Sequence, residues 1–178
     1  MVTQLVGSLQ EWEHKLLKEI SFLQPERTVW DALCSSRCYA ASDGSAPMNQ
    51  GSFGWVLSDK NGKCLVKCRG PVYGHAISSY HAEAYSMLSF LRFLTHLTDM
   101  YQTEERQAKA TYLVCDNQGL VNSINKLSKY CQIIPNTTMS AEWDCLSQIL
   151  QTIRQLGWAA PDVDHIEVTK MLTHLMSA

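Results

Sequence analysis

The segment from Ser79 to about Leu97 constrains the fold more than any other part of this chain. Its apolar residues recur at helical spacing along one face, and a long helix with such a face must pack against another layer of structure. Ser78 or Ser79 can cap its start. Three segments with the character of strands precede it, so we expect the helix to cover a sheet. The apolar face consists of Ala84, Met87, Leu88, Leu91 and Leu94.

The three segments before this helix are typical of an antiparallel meander. The first runs from Arg37 to Ser42, the second from Gly51 to Ser58, and the third from Lys63 to Arg69. The intervening Asp59-Lys60-Asn61-Gly62 is a turn sequence that joins the second and third strands as a hairpin.

A second group of elements follows the long helix. Thr111 to Cys115 is predicted to be a strand, Asn117 to Leu127 a helix, Ser140 to Leu156 a longer helix, and Val163 to Val168 a last strand. The order β-β-β-α-β-α-α-β predicts an α/β domain with a mixed sheet and helices on its faces.

Composition and length indicate one compact domain with an extension. The chain has 178 residues, of which 46% are hydrophobic. Apolar residues at helical spacing from Leu5 to Leu23 predict an amphipathic helix that ends before Pro25. We therefore expect an N-terminal helical extension over residues 1–36, the main domain over 37–168, and an atypical tail over 169–178.

The sequence offers no sign of export or membrane insertion. No apolar run approaches the roughly 18 residues of a membrane span, and Met1 to Lys18 lacks an apolar signal-peptide region. The odd count of seven cysteines predicts free, mostly buried thiols. We expect an intracellular protein of the cytoplasm or nucleus, neither secreted nor bound to a membrane.

Three acidic residues carry the functional information. Asp43, Glu83 and Asp116 each lie beside the end of a predicted strand or the start of a predicted helix. Taken singly, Asp43 suits a turn, Glu83 a first helical turn, and Asp116 a helix N-cap. A cluster of all three costs free energy unless cations lie between them, and divalent metals are the usual solution. Together they favour metal-dependent phosphoryl chemistry.

The motifs around these acids resemble a known family, type 1 ribonuclease H, over about Arg37 to Val168. The stretch from Pro135 to Asp144 is further similar to ribonuclease H domains attached to reverse transcriptases of retrotransposons. The four motifs that carry the resemblance are Asp43-Gly44-Ser45, Gly51-Ser52-Phe53-Gly54-Trp55, Ser79-Tyr80-His81-Ala82-Glu83-Ala84 and Cys115-Asp116-Asn117.

The resemblance implies a ribonuclease H-like fold, with a five-stranded mixed sheet whose first three strands are antiparallel, flanked by helices. It implies a metal-dependent endonuclease that hydrolyses the RNA strand of RNA–DNA hybrids with two Mg²⁺ ions, for which Mn²⁺ can substitute. Asp43 would bridge both metals, while Glu83 and Asp116 would each hold one.

Small residues near these acids would contact the 2′-hydroxyls and phosphates of the hybrid. Such contacts recognise the shape of the hybrid and not its base sequence. Helix capping is an equally open interpretation for the two serines and the asparagine among them. His81 is interpreted as a polar surface residue. The predicted substrate-binding residues are Gly44, Ser45, Gly54, Ser78, Ser79 and Asn117.

The formal net charge of −2 gives no overall attraction to nucleic acid. Any nucleic acid must therefore bind at a local basic patch. The candidates are basic residues of the predicted hairpin and of the helix after Asp116. Ordinary solvated lysines are an equally good interpretation of this pattern. The residues concerned are Lys60, Lys63, Lys67, Arg69, Lys126 and Lys129.

The end of the chain departs from the family pattern. Relatives follow the last strand with a Gly-His loop and a helix that carries a fourth acid, whereas no acid follows Glu167, and His174 has a different setting. We expect the C-terminal helix to be missing, as in a fragment or a degenerate copy of a larger polyprotein with a reverse transcriptase domain upstream. We also expect a monomer. The alternative function is a catalytically weak or inactive domain that binds nucleic acid or acts as a scaffold.

Overall fold

A computed structural model describes residues 9–74, 77–101, 107–129 and 143–166 of the chain. The predicted tail at 169–178 and the segment around Pro135 lie outside these residues. Two short 3₁₀ turns occur at Pro47–Asn49 and Gly157–Ala159. The helices are α1 Glu11–Leu17, α2 Glu26–Ser35, α3 Ser79–Tyr101, α4 Gln118–Leu127 and α5 Trp143–Leu156, and the strands are β1 Ser21–Phe22, β2 Tyr39–Ser45, β3 Gly51–Ser58, β4 Cys64–Val72, β5 Tyr112–Cys115 and β6 Asp162–His165.

The strands form one mixed sheet in the order β1-β4-β3-β2-β5-β6. The meander β2-β3-β4 is antiparallel, and β5 and β6 are parallel to β2, as expected of an α/β fold. The predicted count of five strands is wrong by one. Ser21 and Phe22 of the extension pair with Lys67 and Val66 of β4, and this edge pairing supplies the sixth strand.

Helix α3 covers one face of the sheet and supplies more buried apolar residues than any other described element. Its apolar spacing buries Phe90 and Phe93 against Trp55 of β3, with ring centroids 5.3 and 5.0 Å apart. The indole N–H of Trp55 donates to Ser89 Oγ at 2.8 Å, and Ser89 in turn donates to the carbonyl of Leu16 at 2.7 Å. A buried polar chain therefore connects the sheet, α3 and α1.

The N-terminal extension differs from the single helix predicted over Leu5 to Leu23. Within the described residues, helix α1 is short, the chain then pairs as β1, and α2 follows after Pro25. The sequence periodicity misleads here because Phe22 lies in the edge strand β1 and not on a helix face. From that strand it packs on α3, with its ring centroid 6.0 Å from that of Phe93.

A buried ion pair fixes α1 to α3. Arg92 Nε donates to Glu13 Oε1 at 2.7 Å, His96 Nε2 lies 2.9 Å from the same oxygen, and the Gln10 backbone N–H donates to Glu13 Oε2 at 2.9 Å. Burial alone would raise the pKa of Glu13, but these hydrogen bonds outweigh it and leave the pKa below its usual value. The extension is thus docked on the domain by specific polar contacts.

The other face of the sheet carries the alternate residues of the strands. On β2, Ala40 and Ser42 are buried towards α3, whereas Tyr39, Asp43 and Ser45 are exposed. The six cysteines within the described residues are free thiols. None of the helices in the described part of the chain is both long and apolar enough to span a membrane.

Candidate metal centre

Three carboxylates from separate parts of the chain converge at one end of the sheet. Asp43 lies in β2, Glu83 in the first turns of α3, and Asp116 directly after β5. One carboxylate oxygen from each lies within 4.8 Å of the others. The parallel pairing of β2 and β5 places Ser42 opposite Cys115, so the next residues along both strands are the two aspartates. The structure therefore brings the three predicted carboxylates together.

Gly44 permits the close approach that brings Glu83 to the aspartates. A Cβ atom at Gly44 would lie 2.2 Å from the carbonyl carbon of Ala82 and 2.4 Å from the backbone nitrogen of Glu83. Only glycine lets β2 contact the backbone of α3 in this way. The sequence interpretation assigned such close approach to nucleic acid, but the partner that requires glycine here is the helix.

Glu83 has a strongly perturbed pKa. Burial raises the pKa of Glu83 to about 8, and the negative charges of Asp43 and Asp116 act in the same direction. Hydrogen bonds from the Gly44 backbone and the Cys115 thiol oppose this rise without cancelling it. Glu83 is only 5% exposed, while Asp43 is exposed to solvent. The site is therefore a pocket of crowded negative charge that opens to solvent at Asp43.

No basic side chain within the described ranges forms an ion pair with the three carboxylates. Crowded carboxylates without basic partners offer hard oxygen ligands, which Mg²⁺ and Mn²⁺ prefer. The donor set therefore fits a divalent cation. A cation among these oxygens would also offset the electrostatic cost that the raised pKa of Glu83 reports.

Cys115 and Asn117 support the centre from the side of β5. The Cys115 thiol donates to Glu83 Oε2 at 3.6 Å, and the Asn117 backbone N–H donates to the Cys115 sulfur at 3.5 Å. The Asn117 side chain accepts from the Leu120 N–H at 3.0 Å and caps α4. The capping interpretation of Asn117 is thus confirmed, and that of Ser78 likewise, because Ser78 Oγ accepts from the His81 N–H at 2.9 Å.

Of the other predicted substrate residues, Ser45 and Gly54 line a groove together with Asp43, and Ser79 lies at the start of α3. Ser45 and Ser79 are exposed. Gly54 pairs directly with Asp43 across the sheet, and a Cβ atom there would meet no described neighbour closer than the Cys68 carbonyl at 3.6 Å. Ser45 and Gly54 therefore border open space beside Asp43 into which a ligand can enter.

Two histidines differ from their sequence interpretation. His81 is buried rather than at the surface, with its ring centroid 6.1 Å from that of Tyr85 and its Nε2 4.0 Å from the sulfur of Cys145 in α5. His165 in β6 places Nε2 3.2 Å from the backbone carbonyl of Asp116, a contact that no sequence signal predicted. Both contacts depend on long-range packing against α5 and β6.

The fold is ribonuclease H-like. The chain resembles the solved RNase H1 of the halophilic archaeon Halobacterium salinarum NRC-1, with a TM-score of 0.53, 14% identity, and coverage of 76% of this chain and 89% of that chain. It also resembles LC11-RNase H1, which came from compost and was solved in complex with an RNA/DNA hybrid (TM-score 0.54, 14% identity, coverage of 75% and 88%). Such low identities establish the fold alone.

A solved viral protein is also similar in structure to this chain. The foamy viral protease-reverse transcriptase, solved in complex with an RNA/DNA hybrid, matches with a TM-score of 0.54 and 8% identity over 89% of this chain and 20% of that chain. The sequence matches no protein-family model, and no curated protein matches it either. The similarity to these solved structures is therefore a similarity of fold at low sequence identity.

Proposed function

We propose that this chain is a metal-dependent endonuclease, derived from a retroelement, that hydrolyses the RNA strand of RNA–DNA hybrids. The observation that carries the proposal is the convergence of Asp43, Glu83 and Asp116 within 4.8 Å at one end of a ribonuclease H-like sheet. Structural neighbours that bind RNA/DNA hybrids support the substrate class.

Asp43, Glu83 and Asp116 would hold the metal, with Asp43 shared between two Mg²⁺ or Mn²⁺ ions. Bound there, the ions would activate water and stabilise the departing 3′ oxygen. The chain itself orients the ligands. The Gly44 N–H and the Cys115 thiol donate to the Glu83 carboxylate, and the contact from His165 holds the backbone of Asp116.

Hybrid recognition would use small polar groups at the mouth of the centre. Ser45, Ser78 and Ser79 are exposed there and would donate to phosphates and 2′-hydroxyls across a wide minor groove, while Gly54 leaves room for the strand. Asn117 would contribute through those donors and acceptors of its side-chain amide that are not used in capping α4. Such contacts read shape, so cleavage should show little base preference.

One observation favours the alternative function, a catalytically weak or inactive domain that binds nucleic acid or acts as a scaffold. Within the described residues, the acidic cluster comprises three carboxylates, without a fourth acid. Fewer ligands hold a metal less tightly. Salt-sensitive hybrid binding with no turnover in Mg²⁺ or Mn²⁺ would support this alternative.

Cleavage of an end-labelled RNA–DNA hybrid tests the proposal. We expect cleavage in Mg²⁺ or Mn²⁺, none in EDTA, and a loss of more than about 100-fold in Asp43→Asn, because that substitution removes a direct metal ligand. Asp99→Asn makes the same chemical change at an exposed position of α3 and should retain full activity. Cleavage in EDTA, or equal rates in both variants, would refute the proposed centre.

A further inference from the structure

A groove crosses the sheet on the face opposite α3. It encloses about 700 Å³ and is lined by strands β2, β3 and β4 together with the end of the extension. Asp43 lies in its wall on β2, Lys67 and Arg69 lie in its wall on β4, and Glu19 contributes from the extension. The groove therefore begins at the candidate metal centre and leads away from it.

Strand register aligns Asp43 with Arg69. Asp43 pairs with Gly54 on β3, and Gly54 pairs with Arg69 on β4, so the three residues form one row across the sheet. Adjacent strands are about 4.8 Å apart, which places Arg69 about 10 Å from Asp43. Because Gly54 has no side chain, nothing from β3 fills the space between the carboxylate and the guanidinium.

Lys67 adds a second cation on the same face. It lies two residues from Arg69 on β4, about 7 Å along the strand, and is exposed. In its row, Lys67 pairs with Val56, which pairs with Ala41, so the side chains between Lys67 and β2 are again uncharged. A nucleic-acid strand carries one charge per about 3.4 Å of helix axis, so a single strand can reach both cations.

We propose that Arg69 and Lys67 bind backbone phosphates of the strand whose scissile phosphate lies at the three carboxylates. The inference rests on the proposed function and assigns the groove as the path of that strand away from the cleavage point. Charge complementarity selects the occupant, because a phosphodiester chain near three carboxylates needs nearby cations. A separation of about 10 Å is within the range over which charges interact at moderate salt.

Glu19 competes for Arg69. Its Oε2 lies 3.4 Å from Arg69 Nε in an exposed ion pair, with the side chains 49% and 85% exposed. An exposed pair of this kind is weak, so a phosphate can displace the carboxylate. Glu19→Gln should therefore strengthen hybrid binding about two- to five-fold, whereas Arg69→Gln should weaken it about five- to ten-fold, the loss expected for one charged phosphate contact.

The experiment measures the fluorescence anisotropy of a labelled RNA–DNA hybrid with the full chain in EDTA at several salt concentrations. Arg69→Gln should reduce the slope of log K against log salt by about 0.7 to 0.9, and Arg69→Lys should restore most of it. Arg27→Gln is the matched control, since it makes the same substitution at an exposed arginine of α2 that does not line the groove. Thermal unfolding by circular dichroism verifies that each variant folds.

Equal effects of Arg69→Gln and Arg27→Gln would overturn the proposal, because they would indicate a general charge effect. Unchanged hybrid binding accompanied by a change in sedimentation mass would assign the groove to a second copy of the chain and also overturn it. Mg²⁺-dependent cleavage by the wild type is measured separately. Cleavage by the wild type, with no specific effect of Arg69→Gln on hybrid binding, would refute this inference alone. A specific effect of Arg69→Gln on hybrid binding, without cleavage by the wild type, would refute only the proposed nuclease activity.

Discussion

The raised pKa of Glu83 predicts that the metal-free protein loses stability as the pH rises. The pKa of Glu83 is about 8 in the folded protein, against an ordinary value of 4.5. Between these values the folded state binds more protons than the unfolded state, so the free energy of unfolding decreases with increasing pH. At about 1.36 kcal/mol per pKa unit, ionised Glu83 destabilises the fold by about 5 kcal/mol above pH 8.

Urea denaturation in EDTA between pH 4.5 and pH 8.5 measures this effect. The free energy of unfolding of the wild type should fall across this window, and Glu83→Gln should remove most of the fall because the amide cannot ionise. Glu11→Gln alters an exposed carboxylate of α1 and should leave the slope unchanged. The difference between the two variants isolates the contribution of Glu83 from those of all other groups in the protein.

Mg²⁺ provides the complementary measurement. A cation binds the ionised carboxylates, so it should stabilise the wild type more at pH 8 than at pH 5 and should stabilise Glu83→Gln much less at either pH. A pH-independent free energy of unfolding in EDTA would refute the argument that Glu83 is buried beside two negative charges. An identical pH slope in wild type and Glu83→Gln would refute it equally.

Two further predictions concern the scaffold of the centre. Gly44→Ala should lower the free energy of unfolding, measured by urea denaturation, by at least about 3 kcal/mol, because its Cβ would overlap the backbone of α3. Gly54→Ala should change it by less than about 1 kcal/mol. Equal effects of the two substitutions would contradict the contact assigned to Gly44. Ser89→Ala should cost about 1–3 kcal/mol, since it leaves the buried Trp55 N–H without its acceptor. Ser123→Ala, at a partly exposed position of α4, should cost less than about 0.5 kcal/mol. A loss at Ser89 no larger than at Ser123 would refute the buried polar chain.

Much of the fold was predictable from local patterns. The bounds of β3 were predicted residue for residue, because alternation is strong there and the flanking turns are explicit. A cap at Ser78 or Ser79 predicted the start of α3 to within one residue, and the helix begins at Ser79. The convergence of the three acids was predictable for a related reason. The parallel strands β2 and β5 end at one edge of the sheet, where Asp43 and Asp116 lie. Glu83 lies in the first turns of α3, whose backbone approaches Gly44 beside Asp43.

The remainder depends on contacts that local patterns do not encode. The strand at Ser21–Phe22 exists only because β4 offers a free edge. The burial of His81 depends on α5, and the need for glycine at Gly44 depends on how closely α3 approaches. The alignment of Arg69 with Asp43 follows from strand register, which a single sequence specifies only weakly.

Anomalous diffraction from a crystal grown with Mn²⁺ tests the central claim most directly. The account predicts Mn²⁺ peaks within about 2.0–2.5 Å of carboxylate oxygens of Asp43, Glu83 and Asp116, and their loss in Asp43→Asn. The account would be contradicted if Mn²⁺ bound elsewhere on the chain while the three carboxylates held none.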